Sequence, residues 1–254
     1  MRLIINEMKF IEEVLETHEI PDDVTRGYVL KLLGKYLFSA DMSKKEYVDL
    51  LNETVREFNF SSLEFEEYTR QSTYAGWYKL YSTEPEKAKL RSIDTAGLYQ
   101  GELDIINSLS SDRHKKLLAT IYLVTRLMGD TGWYNLDYKF LFKTANISAT
   151  CVKQAELIAD LFEAGVAVPH GKNSSLSFKV EPCKQGEIVF EVDEMKNIGN
   201  KFTAFNKPDY VYCKNCGKVF KRKTSKGRIP EYCDKCKEEV NKQKTLENYH
   251  NNKA

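Results

Sequence analysis

Residues 145–166 read ANISATCVKQAELIADLFEAGV, and the sense of this stretch decides what the middle of the chain becomes. Asn146-Ile147-Ser148 interrupts two helical patterns, and Ser148 is placed to cap a helix from Ala149 to Ala164, because a serine hydroxyl satisfies an amide that the first turn leaves unpaired. Val152, Ile158, Leu161 and Phe162 are read as the buried face of that helix. Gly165 ends it, since glycine takes the left-handed conformation of a helix stop at little cost. Alternation then replaces helical spacing. Val166–Val168 and Leu176–Val180 flank the polar turn Gly171-Lys172-Asn173-Ser174-Ser175, which predicts a β-hairpin.

Outward from this stretch, the pattern remains helical. Asp137–Ala145 predicts a short helix, reached through a Gly129-Asp130-Thr131-Gly132-Trp133 turn. Before it come a longer helix, Asp112–Met128, with Ser110 or Ser111 as cap, and a short one over Glu102–Leu109. The first 95 residues read as helices over Leu3–Thr17, from Pro21-Asp22-Asp23 to about Phe38, from Ser43 to about Phe58, and Thr73–Tyr81 with Trp77. Ser43 with Glu46 three residues on is a capping box. Val29, Leu32, Leu33, Tyr36 and Leu37 recur at helical spacing and mark a core stripe. Nothing in this third names a chemistry.

The order of helix, short helix, turn, longer helix and hairpin over residues 101–182 resembles a winged helix-turn-helix. That resemblance implies a recognition helix over Ala149–Ala164, with the hairpin wing at the nucleic-acid backbone. Thr150, Lys153 and Gln154 would face the groove, and Lys172 and Asn173 would sit at the wing tip. The helix departs from a DNA-reading pattern in carrying Lys153 against Glu156, Asp160 and Glu163. Phosphate contacts dominate DNA affinity, so a protein-binding role for this helix stays open beside DNA reading.

Cys213-Lys214-Asn215-Cys216-Gly217 and Cys233-Asp234-Lys235-Cys236 are two C-x-x-C pairs sixteen residues apart. One tight turn presents both thiols of such a pair to a single ion, and two pairs complete a tetrahedral four-sulfur site. The expected ligands are therefore Cys213, Cys216, Cys233 and Cys236, holding one structural Zn2+ per chain. Gly217 suits the left-handed position that closes such a knuckle, and Tyr212, Val219, Phe220 and Tyr232 are placed to cover the metal. The segment resembles the zinc ribbons of transcription and replication proteins. Between the pairs lie Lys218, Lys221, Arg222, Lys223, Lys226 and Arg228, a run suited to a phosphate backbone or simply to solvating a small module. Cys151 and Cys183 stand apart and read as unpaired thiols.

Charge follows the same division. Residues 201–254 hold fourteen Lys and Arg against six Asp and Glu, while the first 200 hold 24 against 31. A basic tail on an acidic body points to an anionic partner. An aromatic share of 12% argues for a folded chain. No apolar run approaches the ~20 residues of a membrane span, and the start lacks a secretory pattern, so a cytoplasmic protein is expected. Gly165 to Asn173 has five residues between its glycines and Asn where a phosphate loop has Ser or Thr, which removes that loop from consideration. No H-E-x-x-H or G-x-S-x-G occurs, and the histidines are scattered; no catalytic residue is expected.

The expected fold is mainly α. A helical domain spans 1–95, a winged-helix-like domain with a hairpin wing 96–200, a four-cysteine zinc ribbon 208–240, and a polar, partly disordered tail 241–254. The expected function is a non-enzymatic, nucleic-acid-associated protein, binding DNA in replication or transcription control, and loosely similar to proteins of bacteriophages and mobile elements. The alternatives are a protein-protein adaptor or inhibitor with an acidic body and the ribbon as docking module, and, more remotely, a nuclease.

Overall fold

Ser43 accepts a hydrogen bond from the Glu46 amide (3.3 Å), and the Glu46 carboxylate accepts one from the Ser43 amide (2.7 Å), so the capping box read from the sequence starts a helix as expected. The structure is a computed structural model that describes residues 3–58, 71–128, 133–134, 137–169, 177–222 and 229–251. It is mainly α, with short antiparallel sheets. The chain divides into two compact units, Met1–Thr95 with Asp193–Met195, and Ala96–Val192 with Lys196–Ala254.

In the first unit, α1 (Glu7–Thr17), α2 (Arg26–Tyr36), α3 (Lys44–Arg56) and α4 (Gln71–Thr83) are followed by a 3-10 turn at Pro85–Ala88. Helix α1 starts at Glu7 rather than Leu3 because Asn6 caps it, accepting from the Lys9 amide at 3.0 Å. Residues 21–24 form a turn closed by the Val24 amide on the Pro21 carbonyl, which delays α2 to Arg26. The core gathers Ile11, Val29, Leu32, Leu33 and Val55, all at zero exposure. Trp77 packs against this cluster and against a second one around Tyr47, Leu51 and Tyr74. The Tyr47 hydroxyl donates to the Gly34 carbonyl (2.9 Å), and a β-carbon at Gly34 would lie 2.8 Å from that hydroxyl. The backbone of α2 therefore comes close to α3 only through the missing side chain. Glu7 is buried against Arg91 at 2.8 Å, which offsets the cost of desolvating its charge. Burial lowers the affinity of Lys35 for its proton and raises that of Tyr28, beside the same carboxylate.

In the second unit, β1 (Ala96–Tyr99) pairs antiparallel with β5 (Ile188–Val192). Helices α5 (Gln100–Ser108) and α6 (Asp112–Leu127) follow β1. Every residue of α6 from Leu117 to Thr125 is buried, so this helix is the axis of the unit. Glu102, fully buried, pairs with Arg126 at 2.6 Å and accepts from the Tyr99 amide at 3.0 Å. The Arg126 guanidinium also donates to the Gly97 carbonyl and lies 4.8 Å over the Tyr99 ring. This buried pair joins β1, α5 and α6.

The next elements are β2 (Trp133–Tyr134), α7 (Tyr138–Thr144), α8 (Cys151–Glu163), β3 (Val168–Pro169) and β4 (Phe178–Lys179), with strands in the order β2-β4-β3. Phe178 stacks on Tyr134 at 4.9 Å and meets Phe162 edge-on at 6.0 Å. The strand at Trp133–Tyr134 falls where only a turn was expected. Gly165 adopts φ +70° at the end of α8, as expected of a stop.

Two readings of α8 are corrected. Its cap is Thr150, whose hydroxyl accepts from the Lys153 amide, rather than Ser148. Ile147 is buried and its amide bonds the Phe142 carbonyl, so the chain needs further residues to leave α7 before the new helix can begin. Val152 is 71% exposed rather than buried. At 100° per residue it lies about 180° from Leu161 on the helix, and the buried face is Leu157, Ile158 and Leu161.

Helix α9 (Ile198–Asn206), a β6 (Tyr210–Tyr212) and β7 (Val219–Lys221) hairpin, and α10 (Asp234–Asn251) complete the chain. Helix α10 extends well into the segment expected as a polar tail. Its Lys- and Glu-rich composition has high helix propensity. Neither α9 nor the β1–β5 pair was expected from the sequence.

Candidate metal centre

The first cysteine pair sits in the turn that joins β6 to β7. The Gly217 amide donates to the Cys213 carbonyl and the Cys213 amide to the Lys218 carbonyl, both at 2.9 Å. Gly217 holds φ +67°, so the knuckle closes through the conformation expected of it. The second pair enters the first turn of α10, where the Lys237 amide bonds the Cys233 carbonyl at 2.8 Å. The Lys214 amide reaches the Glu231 carbonyl at 3.0 Å and ties the two knuckles together.

This brings the sulfurs of Cys213, Cys216, Cys233 and Cys236 within 4.8 Å of one another. Cys216 and Cys233 Sγ lie 3.8 Å apart. A tetrahedron of sulfurs about 2.3 Å from a central ion has edges of about 3.8 Å, so the spacing fits a four-thiolate metal site. Cys213 and Cys236 are buried, while Cys216 is exposed. The Cys233 amide donates to Cys213 Sγ at 3.3 Å, the outer-shell support such thiolates need. Burial pushes the Cys213 thiol up, but the amides of Cys216, Cys233 and Asn215 outweigh it and hold the group down to about 6. Cys236 is pushed up to about 12, first by burial and then by hydrogen bonding with Cys233 and Cys216. Metal binds thiolates, so loading such a cluster releases protons. A tetrahedral ion held by all four thiols would have no coordination position left for a substrate.

The knuckle is fastened to α9 and to the α7–α8 connection by three asparagines. Asn200 Nδ2 donates to the Gly217 carbonyl at 2.8 Å. Asn146 Nδ2 donates to Asn197 Oδ1 at 2.9 Å, and the Asn200 amide donates to Asn146 Oδ1 at 3.1 Å. Asn146 and Asn197 both hold positive φ, at 53° and 56°, a conformation that asparagine tolerates better than most residues. A β-carbon on Gly217 would lie 2.2 Å from Asn197 Nδ2, and one on Gly199 would lie 1.8 Å from the Ala145 carbonyl oxygen. The sequence reading missed this clasp. Its signal was Asn146 at a helix junction and the Asn197-Ile198-Gly199-Asn200 run.

The expected nucleic-acid residues fall into three groups. Lys218 and Lys221 are exposed beside the knuckle and Arg222 is half-buried, its amide bonding the Asp209 carbonyl at 2.8 Å. Thr150, Lys153 and Gln154 stand at the start of α8 in local bonds: Thr150 caps, Lys153 Nζ pairs with Glu156 at 2.7 Å, and Gln154 Nε2 donates to the Ala149 carbonyl at 3.0 Å. Lys172, Asn173, Lys223, Lys226 and Arg228 lie outside the described residues. Cys151 is exposed and Cys183 half-buried, both apart from the four-sulfur cluster. No helix among the described residues is long and apolar enough to cross a membrane. No protein-family model matches the chain, and no curated protein or solved structure shows significant similarity to it.

Proposed function

We propose that this chain is a non-enzymatic nucleic-acid-binding protein whose C-terminal segment is folded by one structural Zn2+ ion. The observation that carries the reading is a basic knuckle on an acidic body. Lys218, Lys221 and Arg222 enter no ion pair with any described residue, although the first 200 residues hold an excess of carboxylates. Cations on a small module that have no carboxylate partner among the described residues are available to displace counterions from a phosphate backbone. A tetrahedral sulfur set favours zinc or iron among common metals, and a purely structural role favours zinc.

The helix–turn–helix of α7 and α8, followed by the β3–β4 hairpin, supports the winged-helix reading of residues 101–182 and a setting in DNA replication or transcription control. The test is a DNA titration of metal-loaded protein at two salt concentrations, beside a Lys221→Ala/Arg222→Ala/Lys223→Ala variant. Binding that falls steeply with salt and collapses in the variant is expected; absence of binding at low salt defeats the reading. Elemental analysis decides the metal, with one zinc per chain expected.

A second reading concerns α8 alone. Val152 stands exposed on it, among Glu156, Asp160 and Glu163, and the polar groups at its start are held by local bonds. That surface favours a protein partner over a DNA groove. Retention of one stoichiometric protein that Val152→Asp releases, with DNA affinity unchanged, would establish it.

A further inference from the structure

A cleft of about 460 Å3 opens between the α7–α8 connection, the start of α9 and the first knuckle. Lys143, in the last turn of α7, and Lys218, two residues past Cys216, both line it, with Ser148, Asn146 and Asn200 also in its wall. Among the described residues, no Asp or Glu lines this cleft. Other cavities of the protein carry carboxylates: Glu13, Asp193 and Glu194 in one, Asp49 in another. In a chain with 37 acidic residues, the described lining of this concavity offers two lysines and no carboxylate, with Cys216 of the four-sulfur cluster beside them.

The walls are also fixed. Asn146 and Asn200 are held by each other and by the Gly217 carbonyl, so the spacing between the α7 end and the knuckle is set by hydrogen bonds rather than by long side chains. Lys143 and Lys218 are exposed and make no ion pair with any described residue. The Ser148 hydroxyl, free of the capping role expected for it, is exposed on the same wall. A phosphodiester asks for such a combination: cations to replace its counterions and neutral donors to fix its oxygens.

We infer that this cleft is a phosphate-backbone site, where Lys143 and Lys218 contact neighbouring phosphates of a bound nucleic acid strand. The inference rests on the nucleic-acid reading above and adds Lys143, which the sequence did not single out, and a specific role for Lys218. The site is complete only when the knuckle is folded, so metal loading becomes a condition for backbone contact at the α7–α8 connection. The competing role for these lysines is to neutralise the centre itself, since four thiolates around a divalent ion carry a net double negative charge.

The experiment uses the full chain, zinc-loaded, with a mixed-sequence DNA duplex of about three helical turns, titrated across a series of salt concentrations. Wild type is compared with Lys143→Ala/Lys218→Ala and with Lys44→Ala/Lys45→Ala, which removes the same charge from exposed positions of the first unit. Each lost phosphate contact reduces the slope of log affinity against log salt by about 0.9. The cleft variant is expected to lose roughly 2 from that slope and to keep its zinc, while the control keeps the wild-type slope. A cleft variant with the wild-type slope overturns the inference and leaves the nucleic-acid reading standing. A variant that loses zinc and regains the full slope when zinc is resupplied assigns the lysines to the thiolate centre and also overturns it. No salt-dependent binding by wild type removes both.

Discussion

The first unit and the cysteine-bearing segment hold together by different physics. In the first unit, Ile11, Val29, Leu32, Leu33, Leu51 and Val55 have no exposed surface, and apolar burial supplies the cohesion. Among the described residues of 208–240, only Cys213, Gly217 and Cys236 are buried. Val219, Phe220 and Tyr232 are only half-buried, too little apolar surface to order a segment of that length. If the cysteines hold a metal as proposed, they serve as the core there, and the two regions should respond to opposite perturbations. Removing metal is the largest. The structural zinc proposed above would contribute about 10–16 kcal/mol, as in small zinc modules, so a chelator, or Cys213→Ser, should unfold the cysteine-bearing segment. Limited proteolysis should then cut within that segment, while the helices of the first unit remain protected. A segment that stays resistant without metal would mean that α9 and its asparagines suffice.

The reverse perturbation is Leu33→Ala. Leu33 is fully buried in the first unit's core, and truncating such a side chain costs about 2–5 kcal/mol through lost burial and a residual cavity. Thermal denaturation should show the first unit weakened, and zinc content should be unchanged. An intermediate case is Gly217→Ala. The left-handed backbone costs a residue with a β-carbon about 1–2 kcal/mol, and that carbon would collide with Asn197 Nδ2 at 2.2 Å. Zinc affinity measured against a chromophoric chelator should fall about tenfold, with the melting of the first unit unmoved. An unchanged affinity would show that the clasp yields without disturbing the sulfurs.

Both regions were partly legible in the sequence, for reasons that differ. The cysteine ligands were plain because C-x-x-C spacing encodes its geometry locally: the turn is made by the residues between the thiols. The helices of the first unit were plain where a cap and a periodic stripe coincide, as at Ser43 and Glu46. Boundaries slipped where a residue outside the helix decides its start, as Ile147 does by anchoring to Phe142 and moving the cap of α8 to Thr150. Val152 was misassigned because apolar character was weighed without its phase against Leu161. The β1–β5 pair was not legible, and the Asn146–Asn197–Asn200 clasp was signalled only by an asparagine at a helix junction and two more in one short run. Their partners stand far apart in sequence, Ala96 from Val192 and Asn146 from Asn200, and no local pattern announces such pairings.

The smallest expected effect tests whether local legibility and local energetics coincide. Ser43 and Glu46 satisfy each other's amides at the start of α3, and the hydrogen bonds with Ser43 hold the exposed Glu46 carboxyl below its ordinary range. Losing a serine cap costs about 1 kcal/mol. Ser43→Ala should therefore lower the stability of the first unit by about that amount in urea, with an unchanged denaturant slope and unchanged zinc content. Ser43→Asp keeps an acceptor at the same position and should recover most of the loss. Should both substitutions cost the same, the cap is dispensable, and α3 is held by Tyr47, Leu51 and Val55 in the core rather than by the signal that made it readable.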